Sequence, residues 1–299
     1  MAQVLLLLAM VGTVTTRTWQ DHTWFGAALA LATVAVWAPE MRWRRARIWW
    51  FAYVAGTFIY TLLRALADET GIPVRTAYVI DFERVLFLGS DPVVSLQRRF
   101  FEPPSLDVVD WLAVLTHWSF FIAPHALGVA VFIYRRDLFP RYAVMVLATL
   151  YLALLLFFAI PTAPPWLAGA TGDLPADGTF RIMQFAGRSI DPATYDSLYE
   201  SLGEPNSVAA MPSLHLGLTF AMFLWARAHH PRLALPMLGY VIIMGLALVY
   251  LAEHYVLDLV VGGACALGGH VFAERFAHRW GRQLAPLSSA PPASEPSVP

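Results

Sequence analysis

The chain has 299 residues, of which 58% are hydrophobic and 14% are charged, and its formal net charge is -1. Soluble proteins carry about 25% charged residues, so this composition excludes most soluble folds. The near-neutral charge gives no reason to expect a nucleic-acid partner, and a single cysteine excludes an internal disulfide framework. All twenty basic residues are arginines, which excludes chemistry that requires a lysine.

Apolar segments of membrane-spanning length recur along the chain. A helix needs about 20 apolar residues to cross the hydrocarbon core of a bilayer. Two weaker segments cover residues 2–16 and 24–39, and six stronger ones follow at 48–66, 108–134, 142–160, 211–227, 233–252 and 254–272. We therefore predict an all-α, polytopic transmembrane helix bundle. Its expected parts are N-terminal membrane helices (1–47), a six-helix catalytic membrane core (48–282) and a disordered, proline- and serine-rich cytoplasmic tail (283–299).

The arginines near the ends of these segments predict how the bundle is oriented. They concentrate in 40–47, 135–141, 226–232 and 275–282, which all fall on one side if the spans alternate. Cytoplasmic loops of membrane proteins carry such an excess, so we expect this side to be cytoplasmic. The all-arginine composition points to a GC-rich genome and hence to a bacterial inner (plasma) membrane.

Ionisable residues within apolar segments indicate where the chemistry lies. Each costs about 2.5–3.5 kcal/mol at the centre of a membrane helix on insertion scales. Arg64, His215, His254 and Asp258 come from three different spans. The alternation of spans places all four near the outer face, so we expect them to converge on one extracytoplasmic site.

Two short motifs carry this site. His254 and Asp258 have a spacing of i, i+4, which predicts that they share one helix face. The carboxylate can accept a proton from one imidazole nitrogen and leave the other as a nucleophile or base. Pro212 suits the first position of the next predicted helix. The N-terminus of that helix attracts phosphate, with the Ser213 hydroxyl as a donor and His215 as a proton donor.

Together, Pro212-Ser213-Leu214-His215 and His254-x-x-x-Asp258 resemble the second and third signature motifs of the type-2 phosphatidic acid phosphatase superfamily. That family works on lipid phosphates with a six-helix core. The usual first motif contains a lysine and is absent here, and Ala247-Leu248 replaces the Ser-Arg pair of the third motif. The Pro-Thr-Ala-Pro-Pro-Trp segment at 161–166 and the pattern around His254 are similar to inositol phosphorylceramide synthases and their bacterial relatives.

The resemblance implies a reaction and three catalytic roles. Enzymes of this subgroup move a phosphorylated head group from one lipid to another. By resemblance, His254 is the nucleophile that forms a phosphohistidine, Asp258 orients it, and His215 protonates the departing alkoxide. The expected partners are a membrane phospholipid and a possible second lipid acceptor, and the sequence does not indicate an oligomeric state.

Without the usual lysine and arginine, another group must supply positive charge to the phosphate. Arg64 is the first candidate because it lies well inside a predicted span, although it could instead snorkel to the outer interface. Arg181 and Arg188 are possible substitutes. Ser213 and Asn206 are the other candidates for binding the phosphate and head group.

Several alternatives remain open at the level of sequence. If water replaces the acceptor lipid, the same site hydrolyses a phospholipid or isoprenoid phosphate. His215, His254 and Asp258 could instead hold a metal ion, or the polar residues could line a transport pathway. A vanadate-dependent haloperoxidase would share the histidine geometry. The favoured interpretation requires neither a metal nor an organic cofactor.

Other polar residues receive structural interpretations. His117 and His125, within one apolar segment, are predicted to make satisfied contacts between helices. Asp81, Glu83 and Arg84 precede an apolar run and predict an amphipathic helix on the outer surface.

Overall fold

The computed structural model describes residues 38, 44–67, 70–193, 195 and 208–279. These residues form eleven α-helices, and their only β-type pairing is an isolated bridge between Thr162 and Ala209. Apart from Ala38, the predicted spans at 2–16 and 24–39 lie outside the described residues, as do Asn206 and the tail at 283–299.

All six stronger apolar segments are helical. The helices are α1 (Arg44–Ala65), α2 (Ala77–Leu86), α3 (Pro92–Phe100), α4 (Val108–Ser119), α5 (Ala123–Tyr134), α6 (Phe139–Ala159), α7 (Pro165–Thr171), α8 (Ile182–Ile190), α9 (Leu214–His229), α10 (Pro231–Tyr250) and α11 (Val256–Arg279). The predicted span at 108–134 is broken, because α4 and α5 meet at a bend of 46°. Pro124 lies in the first turn of α5, where a proline is tolerated but cannot continue a preceding helix.

The described helices form a polytopic membrane bundle. α6, α10 and α11 are each long and apolar enough to cross a bilayer, and α4 with α5 provides a fourth crossing if the bent pair is one span. α9 has 16 residues, which is shorter than the roughly 20 that a full crossing needs. Two of the connecting segments fold into the short helices α2, α3, α7 and α8.

The core of the bundle lies between α1, α5, α6, α9 and α11. Large aromatic side chains fill it, among them Trp50, Tyr53, Phe132, Tyr142 and Trp225, all at most 3% exposed. α6 packs against α1 and α11, and α9 packs against α10 and α11. Such dense aromatic packing holds the helices rigidly.

Ion pairs identify one end of the bundle. A carboxylate oxygen of Glu274, near the end of α11, lies 3.9 Å from a nitrogen of Arg141 and the other lies 3.9 Å from a nitrogen of His229. These contacts bring the start of α6 together with the ends of α9 and α11. The starts of α9 and α11 therefore lie at the opposite end, as the predicted alternation requires.

Candidate active site

The structure brings together the three predicted catalytic side chains. Nδ1 of His215 lies 3.1 Å from Nε2 of His254, and Nδ1 of His254 lies 3.3 Å from Oδ2 of Asp258. His254 is 5% exposed and Asp258 is fully buried. The three groups thus form a continuous chain from one imidazole to the other and on to the carboxylate.

His254 and Asp258 do not share a helix face, so that prediction is wrong. α11 begins at Val256, and His254 lies in the non-helical segment that precedes it. Asp258, in the first turn of α11, also accepts a hydrogen bond of 2.9 Å from the backbone N–H of Tyr255. A carboxylate that reaches back in this way caps the helix start, and the same cap brings Asp258 against the His254 ring.

The start of α9 is tied to the start of α11. Ser213 is the N-cap of α9, and its hydroxyl oxygen accepts a hydrogen bond of 3.3 Å from the N–H of Leu216. Its own N–H donates to the carbonyl oxygen of Asp258 at 2.9 Å. Pro212 is therefore not the first helical residue, contrary to the prediction, because Ser213 takes the capping position.

Glycines allow these two helices to approach closely. A Cβ atom at Gly262 would overlap the carbonyl oxygen of Ser213 and lie 2.9 Å from its carbonyl carbon. A Cβ atom at Gly217 would lie 3.0 Å from the carbonyl oxygen of Gly262. Small residues permit such crossings in membrane bundles, and this crossing brings the start of α9, which carries His215, against the start of α11.

We expect Gly262→Ala to lower activity by about 10²-fold, because the methyl group would force apart the starts of α9 and α11 and a displacement of about 1 Å is enough for such a loss. The overpacking should also cost about 1–3 kcal/mol of stability. Steady-state rates and melting temperatures of the purified variants measure both effects. Gly263→Ala is the matched control, since its Cβ would meet only Phe220, at 3.9 Å. Equal rates for the two variants would contradict this role of Gly262.

Glu83 lies buried at the site, whereas its sequence neighbours predict a helix on the outer surface. It lies on α2, is 2% exposed, and its Oε1 accepts hydrogen bonds from the backbone N–H groups of Val256 and Leu257. These N–H groups belong to the first turn of α11, where backbone donors have no acceptor within the helix. Val256 lies two residues after His254, and Leu257 directly precedes Asp258. The apolar side chains on the other face of α2 are exposed, including Phe82 and Val85, which suits contact with lipid.

The position of Glu83 predicts a pH dependence. Burial and the nearby carboxylates of Asp258 and Asp91 raise its pKa from 4.5 to about 7, against the opposing effect of the two backbone N–H groups. The folded protein therefore binds this proton more tightly than the unfolded chain does. The contribution of this proton to the stability of the folded protein is complete below pH 4.5 and is lost as the pH rises through about 7.

We expect Glu83→Gln to remove this pH dependence while keeping the helix cap, because an amide oxygen accepts both N–H groups and does not titrate. As the pH rises from 4.5 past 7, the wild type should lose about 3 kcal/mol of stability relative to the variant. Thermal or denaturant unfolding across this range measures the difference. Asp81→Asn, exposed on the same helix, is the control, and parallel stability curves for wild type and Glu83→Gln would refute the prediction.

Two arginines lie within electrostatic range of the site. Arg64, in the last turn of α1, is close enough to His215 for their charges to interact, and Arg181 is equally within range of His117. The guanidinium carbon of Arg181 lies 3.9 Å from the ring centroid of Trp166, and its Nε lies 3.3 Å from Oε1 of Glu253, next to His254 in the chain. The remaining candidate, Arg188, is exposed at the end of α8.

The two histidines of the bent pair differ in their surroundings. Nδ1 of His125 lies 2.8 Å from the hydroxyl of Tyr53, so the expected structural contact is confirmed. Both ring nitrogens of His117 are buried without a hydrogen-bond partner among the described residues, so the same prediction is wrong there. Nε2 of His215 and Oδ1 of Asp258 are likewise buried and unpartnered in this part of the chain. No pattern in the sequence distinguished His117 from His125.

Comparisons with known proteins identify the family to which the chain belongs. The family model described as the PAP2 superfamily matches residues 77–272. The chain is 26% identical to the phosphoinositol dihydroceramide synthase of Bacteroides thetaiotaomicron over 72% of each protein. It is also 29% identical to the catalytic subunit of inositol phosphorylceramide synthase from Schizosaccharomyces pombe, over 84% of this chain and 58% of that protein. No solved structure gave a significant match. The chain therefore belongs to the PAP2 superfamily and is an enzyme of its phosphotransferase type.

Proposed function

We propose that this enzyme transfers an inositol phosphate-like head group from a phospholipid to a second lipid through a phosphohistidine at His254. The observation that carries the proposal is the continuous chain of contacts formed by His215, His254 and Asp258. The names of the two relatives support a phosphorylated inositol head group and a ceramide-type acceptor.

In the first half-reaction, Nε2 of His254 attacks the phosphorus of the donor lipid. Asp258 accepts the hydrogen bond from Nδ1–H and so keeps Nε2 unprotonated. The N–P bond forms as the P–O bond to the donor lipid breaks, and His215, as the imidazolium, gives its proton to the departing alkoxide and becomes neutral. The products are the phosphorylated enzyme and a neutral lipid alcohol.

Substrate binding must separate the two imidazoles. In-line displacement places phosphorus between the attacking and departing atoms. A nitrogen–nitrogen distance of 3.1 Å is a direct hydrogen bond, which leaves no room for a phosphorus atom between the rings. The contact therefore belongs to the resting enzyme, and the ring of His215 moves away as the phosphate group enters.

In the second half-reaction, His215 takes the proton of the acceptor hydroxyl. The hydroxyl oxygen attacks phosphorus, the P–O bond forms, the N–P bond breaks and His254 returns to its neutral state. Water in place of the lipid hydroxyl would release the head group, which is the hydrolase alternative. The choice between the two reactions depends on which acceptor reaches His215.

Positive charge near the histidines supports binding of the phosphate group. We assign this role to Arg64 and Arg181. The first lies within electrostatic range of His215 and the second within that range of His117. Arginine suits the task because its planar guanidinium can hold two phosphate oxygens at once. Ser213 and Asn206 remain candidates for contacts to the phosphate and the head group.

The proposed reaction takes place at the extracytoplasmic face of the bacterial inner membrane. The site lies at the end of the bundle opposite Arg141, His229 and Glu274, and arginine-rich segments favour the cytoplasmic side. The proposed catalytic core spans 48–282, between the N-terminal membrane helices (1–47) and a cytoplasmic tail (283–299).

Product analysis tests the proposed transfer. Purified enzyme is incubated with inositol-labelled phosphatidylinositol, with and without a ceramide-type acceptor, and the labelled products are separated. The proposal predicts labelled phosphorylated acceptor lipid only when the acceptor is present. Free labelled inositol phosphate at the same rate with and without acceptor would instead identify a hydrolase.

A further inference from the structure

His117 lies against the proposed acid–base group, outside the two sequence motifs. It lies on α4, is 3% exposed, and its ring centroid is 4.4 Å from that of His215, with the planes inclined by 35°. Phe120 lies in the short segment that separates α4 from α5, and its ring centroid is 4.3 Å from that of His215. Residues at the bend between these helices therefore pack against His215 and bring a third imidazole to the site.

Both nitrogens of His117 are buried without a partner in the described part of the chain. A buried polar group without a hydrogen bond costs about 1–3 kcal/mol, and most such groups in folded proteins are paired. His125, on the adjacent helix, follows that rule through its contact with Tyr53. An unpaired group beside the proposed reacting atoms is therefore better explained by a ligand than by packing.

The chemistry of the surroundings favours an anionic ligand oxygen. A neutral imidazole offers one N–H donor and one acceptor nitrogen. Arg181 directly precedes α8, which packs against the helix that carries His117, and no carboxylate forms a hydrogen bond or ion pair with either nitrogen of His117 among the described residues. An N–H donor in a region that also holds a cation binds a phosphate oxygen more strongly than it binds a neutral hydroxyl.

We propose that His117 contacts the substrate directly and that its N–H donates a hydrogen bond to a non-bridging oxygen of the transferring phosphoryl group. This role rests on the proposed function and extends it by one residue. The hydrogen bond stabilises the charge that spreads over the phosphoryl oxygens during transfer. His117 thus replaces part of the donor set that the absent lysine motif would otherwise supply.

His117→Phe tests this inference because phenylalanine keeps a ring against His215 but removes both nitrogens. We expect kcat/KM for head-group transfer to fall by about 10- to 100-fold, the effect of losing one hydrogen bond to a charged group. His125→Phe is the matched control, a half-buried histidine whose Nδ1 already has a partner within the bundle, the hydroxyl of Tyr53. It should keep the wild-type kcat/KM once rates are corrected for the folded fraction.

Two amide variants identify the nitrogen that acts. Asparagine places its amide nitrogen near the position of Nδ1, and glutamine places it near Nε2, so one of these variants should recover at least part of the activity lost in His117→Phe. Failure of both to recover any activity would contradict a donor role.

Binding of inorganic phosphate separates this inference from the proposed transfer reaction. We expect the dissociation constant of orthophosphate, measured by calorimetry on the purified protein, to rise about 10-fold in His117→Phe and to stay unchanged in His125→Phe. This binding test stands even if the wild type transfers no inositol phosphate, which would refute the proposed function alone. Unchanged phosphate binding, or an unchanged kcat/KM in an active enzyme, would overturn the role of His117.

Discussion

Replacing His254 with alanine is expected to reduce head-group transfer by about 10⁴-fold or more, since the variant lacks the atom that forms the bond to phosphorus. The protein should still fold, because His254 lies in the non-helical segment before the start of α11 and its replacement interrupts no helix. Steady-state transfer from phosphatidylinositol, with the melting temperature of each preparation, measures the two properties separately.

His278→Ala is the control for this prediction. His278 lies on the same helix as Asp258, near the far end of α11, and its side chain is exposed. This variant should transfer the head group at the wild-type rate. A His254→Ala enzyme that is folded and as active as His278→Ala would exclude His254 as the nucleophile.

Asp258→Asn is expected to lower kcat for head-group transfer by about 10²- to 10⁴-fold. An asparagine oxygen can still accept the N–H of Tyr255, so the start of α11 is preserved. The same oxygen faces Nδ1 of His254, so the change leaves a neutral amide oxygen where the carboxylate was. A neutral acceptor holds the Nδ1–H tautomer, which leaves Nε2 free to attack, less firmly and stabilises the charged imidazole of the phosphorylated state less.

The rate of formation of the phosphorylated enzyme measures this effect most directly. Asp177→Asn is a suitable control because this carboxylate is exposed and pairs with Arg98 at the surface. A kcat for Asp258→Asn within a few-fold of the control would mean that Asp258 is only a structural cap.

The sequence predicted the meeting of the two histidines for a topological reason. His215 begins one helix and His254 precedes another, and an even number of crossings returns the chain to the same side of the membrane. The structure has both residues at one end of the bundle, 3.1 Å apart between ring nitrogens. The helical architecture followed from apolar segment length, which depends on composition rather than on tertiary contacts.

Other features of the site depend on contacts that no local pattern encodes. Glu83 looked like a surface residue because its neighbours in the sequence are charged, yet it turns inward to cap a helix that begins at Val256. His117 and His125 are eight residues apart in one apolar segment, and only the bend between α4 and α5 separates their surroundings. The spacing of His254 and Asp258 suggested a shared helix, whereas capping by Asp258 ends the helix before it reaches His254.

Covalent trapping of the phosphoryl group tests the central claim most directly. The enzyme is mixed with phosphatidylinositol labelled at phosphorus, quenched in base before acceptor is added, and digested for peptide mapping. We expect a label that is stable in base, labile in acid and confined to the peptide that contains His254. A label on any other residue, or equal labelling of wild type and His254→Ala, would contradict it.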